Sequence, residues 1–186
     1  AYFFRKYPSL ATGFLDKLGI KLSEDFDCWR EWENIDLLLE DEHQIVVIEN
    51  KILSSINGVK MTDEEELSGS QLDKYCEIAE KRAKGEYLDD EDSLKLFLAR
   101  HTKNVSGLIL TPNYNHISLD DYNVPEKEFV CKNHYQHVTY GKLYEYFWDY
   151  MAQKVPNDKY FLEFLKGMEP HTDEHHNDLF KRMKNQ

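Results

Sequence analysis

Three residues in the first third of the chain have the types and spacing to do chemistry: Asp36, Glu49 and Lys51. They lie in "NIDLLLEDEHQIVVIENKI", residues 34–52, where two apolar runs carry charge at places that core residues would otherwise fill. Two carboxylates about 5 Å apart repel by roughly 3 kcal/mol at an effective dielectric near 20. A divalent cation removes that cost. Hard oxygen ligands suit Mg2+ or Mn2+, and Mg2+ takes one or two carboxylates together with waters and substrate phosphate oxygens. A lysine beside such a site can orient a water, or offset the charge that builds on a phosphorane-like transition state. The residue types therefore fit metal-assisted hydrolysis of a phosphodiester. Taken singly, a Glu and a Lys at a strand end form an ordinary edge ion pair, so the weight rests on the combination.

The elements that must position these groups can be read from periodicity. Ile35, Leu37 and Leu39 alternate as one strand, "EDEH" is a polar turn, and residues 44–52 form a second, β-branched strand. Side chains two apart on a strand share a face. If the turn pairs Leu39 with Gln44, Asp36 faces Val47 on the side that also carries Glu49 and Lys51. A one-residue shift would send Asp36 to the opposite face. Upstream, "SLATGFLDKLGI" reads as an amphipathic helix and residues 26–32 as a first strand.

Downstream of Lys51 comes a polar insertion, in which Thr62 and Glu65 form a capping box for a helix running to about Lys84. Gln71 and Tyr75 are four apart and share a face of that helix with Ile78 and Arg82. Leu72, Cys76, Ala79 and Ala83 form a separate apolar stripe suited to the sheet, which leaves Gln71 and Tyr75 at its edge, within reach of the cluster or of a nucleic acid. "VSGLILTP" reads as a buried strand stopped by Pro112, and "YQHVTY" as another strand. Beyond Gly141, "KLYEYFWDYMAQ" and "KYFLEFLKGM" read as helices. The order of elements suggests an α/β sandwich around a mixed sheet.

The bulk properties set limits. At 186 residues the chain is expected to be a single domain, 1–186, and its 41% apolar and 31% charged content fits a globular protein. No apolar run approaches the roughly 20 residues of a membrane helix. Cys28, Cys76 and Cys131 form no CxxC pair, which argues against a zinc ribbon or a disulfide framework and for a cytoplasmic location. A net charge of −12 is the reverse of what a broad basic nucleic-acid face would give, so phosphate binding would have to rest on a local site with cations. His171 and His175 have the spacing of a metal pair, but no third ligand completes a site and they read as a solvated helix start. Tyr140, Tyr144, Phe147, Trp148 and Tyr150 could stack on bases, but their helical spacing reads as core. Neither a Gly-rich phosphate loop nor a recognisable Ser or Cys nucleophile setting is present.

Ile35-Asp36 followed by Glu49-Asn50-Lys51 resembles the signature of the PD-(D/E)XK nuclease superfamily, and "QLDKY" resembles the Gln-x-x-x-Tyr element of its RecB-like branch. The wording from "ENIDLLL" to "HVTYGKLYEYF" looks closest to a bacterial group of PD-(D/E)XK nuclease-like proteins. The resemblance implies a restriction-endonuclease-like, three-layer α/β/α core, with three antiparallel strands plus a further strand and additional C-terminal helices. It also implies Mg2+ or Mn2+ held by Asp36, Glu49 and the main-chain carbonyl of Asn50, with Lys51 beside the attacking water and Gln71 and Tyr75 as auxiliary site residues. The implied partner is DNA, cut to leave a 5′-phosphate. The family pattern usually includes a glutamate on an early helix. Here only Asp16 is present, so that helix is expected before Ala1, with Glu31 or Glu33 as possible substitutes. The alternative reading is a nuclease-fold interaction module without turnover, working in a larger bacterial assembly.

Overall fold

The computed structural model describes residues 1–52, 71–85, 103–115 and 135–173. The Thr62 capping box, the acidic "TDEEE" run, and His175 lie outside them. Five strands form one sheet in the order β1-β2-β3-β4-β5. These are β1 (Asp27–Trp32), β2 (Ile35–Glu40), β3 (Gln44–Asn50), β4 (Asn104–Thr111) and β5 (Tyr135–Thr139). The first three pair antiparallel, and β4 and β5 continue the sheet in parallel, one strand more than the resemblance implied. The helices are α1 (Tyr2–Lys6), α2 (Pro8–Lys17), α3 (Gln71–Ala83), α4 (Tyr140–Lys154) and α5 (Lys159–Met168).

Two cores make three layers. Leu72, Tyr75, Cys76, Ala79 and Ala83 of α3 pack on Leu38, Ile45, Val47 and Ile109 of the sheet. On the opposite face, Leu10, Phe14 and Leu15 of α2 join Phe147 of α4 and Phe161 and Leu165 of α5 over Leu39, Val46, Ile48 and Leu108. The expected helix in "SLATGFLDKLGI" is α2. Pro8 starts it, where a missing N–H costs nothing. Gly19, at φ 77°, ends it in a left-handed turn whose N–H donates to the Asp16 carbonyl, while Ile20 N–H donates back to Leu15.

Asp158 caps α5 and holds the helical layer together. One oxygen accepts from the Tyr160 and Phe161 N–H groups at 3.0 and 3.1 Å; the other accepts from Lys6 Nζ at 2.7 Å and Tyr7 Oη at 2.5 Å. The Lys6 contact, followed by Tyr7, holds the Asp158 carboxyl well below the usual aspartate range. Cys28 is a free, buried thiol, but Cys76 is disulfide-bonded, so the cysteines no longer argue for a reducing compartment. None of the described helices is long and apolar enough to cross a membrane.

Candidate active site

The β2–β3 hairpin sets the geometry. Its register pairs Leu39 with Val46 and Leu37 with Ile48, so its continuation brings Asp36 opposite Glu49 rather than Val47. The difference from the sequence expectation is two residues, which preserves the facing of the strand. The cause is the turn: the Asp41 carboxylate accepts from the N–H groups of His43 and Gln44, both at 2.7 Å, and so lengthens the loop by an Asx turn.

The β1–β2 turn adds a second departure. Trp32 pairs with Ile35, leaving Glu33 and Asn34 as the two loop residues, both left-handed at φ 51° and 65°. That is the conformation a two-residue hairpin turn of the primed type demands. Glu31 is also left-handed, at φ 54°, and the rung between it and Asp36 is missing from the ladder. Left-handed non-glycine residues cost on the order of 1–3 kcal/mol each and persist only where the surroundings hold them. Here they interrupt the pleat beside Asp36. Ile35 packs with Leu38 rather than with Leu37 and Leu39, and Asp36 turns to the strand end. Its Oδ2 accepts from the Asn50 N–H at 2.7 Å.

Glu49 and Lys51 face α3 and are 3% and 5% exposed. Lys51 Nζ stands 2.7 Å from Glu49 Oε1 and donates to Gln71 Oε1 at 2.6 Å. Gln71 Nε2 donates to Tyr75 Oη at 2.6 Å, and Tyr75 Oη donates to the Asn34 carbonyl at 2.5 Å. The chain of donors runs one way, from the ammonium to the hairpin turn, and fixes which end of the Gln71 amide meets Lys51. The expected face shared by Gln71 and Tyr75 is therefore turned to the cluster, and Tyr75 is buried. The pKa of Glu49 is raised, first by burial; Lys51 opposes that shift and the Asp36 charge adds to it. Its second oxygen, Oε2, is buried and accepts no hydrogen bond.

That orphaned oxygen is the test of whether the residues fit a cation. A buried acceptor left unsatisfied costs about 1–3 kcal/mol, more for a charged group. Glu49 Oε2, the neighbouring Asp36 carboxylate and the Asn50 main-chain oxygen form the hard, anionic oxygen set that Mg2+ or Mn2+ takes, with room left for waters and phosphate. Among the described residues no group of three or more His, Cys, Asp or Glu could hold a metal. A cation here would rest on two carboxylates and main-chain oxygen. The donor set fits.

Several residues that the sequence reading passed over hold this corner. Lys51 N–H donates to Leu110 O at 2.8 Å, and the next rung of the parallel ladder would need an N–H from Pro112, which has none. Asn115 Nδ2 donates to the Lys51 carbonyl instead, at 2.9 Å. Tyr140, expected in the core, is buried but sends its hydroxyl to Asn50 Oδ1. Thr139 caps the helix that carries it. The Tyr135 ring lies over Gly107, where a Cβ would come within 2.4 Å of it, and its hydroxyl donates to the Leu72 carbonyl at 2.9 Å. That bond tethers the Gln71 end of α3. Only the glycine in "VSGLIL" hinted at it.

The remaining candidates divide. Phe147 is core, Tyr144 and Tyr150 are partly buried, and Trp148 is exposed. His171 Nδ1 bonds Tyr114 Oη at 2.9 Å rather than joining a metal pair. Asp16 pairs with Lys21 on the surface, and Glu33 sits in the turn. Of the acids weighed as substitutes, Glu31 alone lines the cleft that Asp36 lines.

No curated protein and no solved structure is significantly similar to the chain. The family model of the PD-(D/E)XK nuclease superfamily matches residues 4–166, a span containing every element that builds the corner around Asp36, Glu49 and Lys51. The chain belongs to the PD-(D/E)XK nuclease superfamily.

Proposed function

We propose that the protein is a metal-dependent deoxyribonuclease, a single domain over residues 1–186, that hydrolyses DNA phosphodiester bonds in the cytoplasm. The observation that carries this reading is the buried Glu49 oxygen left without a partner, beside a lysine locked in place by Gln71. Asp36, Glu49 and the Asn50 carbonyl would hold Mg2+ or Mn2+. The cation would supply charge neutralisation at the phosphate and a more acidic water.

The chain's own residues do the rest. Glu49 and Asp36 present anionic oxygens at one strand end, held there by the Asn50 N–H and by the distorted β1–β2 turn. Lys51 offers an ammonium whose direction is set by Glu49 on one side and Gln71 on the other. Such an ammonium can orient a water toward phosphorus and offset the charge of the transition state at no reorganisation cost. Gln71 and Tyr75 hold Lys51 rather than touch the phosphate. Burial of the pair keeps the local dielectric low, which strengthens each of these interactions.

The test is a cleavage assay of the purified protein on single-stranded, duplex, linear and circular DNA. Cutting is expected with Mg2+ or Mn2+ and none with EDTA. Inertness on every form with both metals would favour the non-catalytic interaction module, which the charge of −12 also suits.

A further inference from the structure

Beside Asp36 and Asn50 opens a cleft of about 460 Å³ on the face away from Lys51. Its walls are largely apolar and aromatic: Tyr2, Phe3, Leu37, Ile48 and Phe164, with Tyr140 where it meets Asn50. A nuclease site that only clamped a duplex backbone would have no use for such a cleft. Phosphates need cations and N–H donors, and the cleft offers a single cationic side chain, Arg30, itself 3.4 Å from Glu31.

Two of its aromatic rings are open to solvent. Tyr2 is 60% exposed and Phe164 39% exposed, against the tendency of large apolar side chains to be covered. They come from different helices, α1 and α5, and Phe3 stands between them, 5.0 Å centroid to centroid from each. The polar groups sit at one end only. Asn50 Oδ1 is taken by Tyr140, which leaves the Asn50 amide nitrogen as a donor facing the junction of cleft and carboxylates. An apolar slot with a few convergent polar groups at one end is the form of a site for a flat, amphipathic ring.

We infer that this cleft receives an unstacked nucleobase next to the phosphate that is cut, and that the preferred substrate is therefore single-stranded DNA. The inference rests on the nuclease reading above and deepens it. Contiguity identifies the occupant: Asp36 and Asn50, which that reading places at the phosphate, are also part of the cleft wall. A base attached to that phosphate is the group that falls within reach. A paired, stacked base cannot enter without leaving its helix, which costs a duplex the unstacking energy and costs a single strand almost nothing. Stacking on aromatic side chains is tolerant of sequence, so the cleft selects strandedness rather than a particular base.

The experiment has two readouts. Cleavage is measured on single-stranded and blunt duplex DNA by the wild type, Phe164→Ala and Tyr2→Ala, with thermal melts to confirm folding. Binding is measured with Lys51→Met protein in Mg2+, using oligonucleotides that carry 2-aminopurine, whose fluorescence is quenched on stacking. Wild type is expected to cut single strands at least 10-fold faster than duplex. Each variant is expected to lose roughly 10- to 100-fold in kcat/KM on single strands, and Phe164→Ala is also expected to abolish the quench. Equal cutting of duplex and single strands, with both variants unaffected, overturns the inference and leaves the nuclease reading intact. A quench without cleavage of any DNA supports the cleft and overturns the nuclease reading. Loss of both, or cutting with no quench, means that something else covers the cleft and overturns the inference.

Discussion

Lys51→Met is expected to lower DNA cleavage about 10²- to 10³-fold, the usual cost of removing one preorganised electrostatic group from a transition state. Met is close to Lys in length and apolar bulk, so packing under α3 is retained while the ammonium is lost. The substitution also leaves Glu49 buried without its ion-pair partner. Breaking a buried pair from one side costs about 3–5 kcal/mol. That penalty applies to the metal-free protein, since a bound cation would neutralise Glu49 in place of the lysine. Mn2+ is therefore expected to raise the Tm of Lys51→Met by more than it raises that of wild type, through mass action on the folded state. Full activity in Lys51→Met would remove lysine from the chemistry. An equal Tm response to Mn2+ in both proteins would show that the cation binds elsewhere.

The second large effect is expected far from the carboxylates. Arg82 is 4% exposed, and its guanidinium lies 4.9 Å from the ring centroids of both Trp29 and Trp32. Its Nε donates to Glu40 Oε2 at 2.7 Å, while Lys103 Nζ donates to the other Glu40 oxygen at 2.7 Å. This cluster fastens the C-terminal end of α3 to β1 and β2, about 16 Å along the helix from Gln71. Arg82→Met removes the cation–π contacts and strips one partner from a buried carboxylate. The expected loss is about 3–5 kcal/mol, read as a fall in Tm of roughly 6–20 °C by calorimetry. Turnover is expected to fall as well, because Gln71 holds Lys51 only while α3 stays seated. A stability change within about 0.5 kcal/mol would show that the cluster is a surface feature with no anchoring role.

Arg82 also shows what the sequence could and could not disclose. Its place on the face of Gln71 and Tyr75 followed from helical spacing, but its burial did not, because an arginine at the edge of an apolar stripe is ordinarily solvated. The two tryptophans that bury it lie some fifty residues away in the chain. The hairpin was legible from alternation, and so was the facing of Asp36 toward Glu49. Its register was not, because the Asp41 turn is set by hydrogen bonds that composition does not reveal. Glu49 and Lys51 were legible as a pair of residue types. That they close on each other at 2.7 Å and leave one carboxylate oxygen orphaned depends on how α3 covers them. Tyr140 was read as core and is core, yet its hydroxyl serves Asn50. Aromatic periodicity reports where the ring goes and is silent about its polar end.

Titration calorimetry with Mn2+, on wild type, Glu49→Gln and Asp36→Asn, tests most directly whether this corner of the sheet is a cation site. One saturable site is expected in the wild type, lost in Glu49→Gln and much weakened in Asp36→Asn. No binding to the wild type, or binding that survives Glu49→Gln unchanged, would contradict the account.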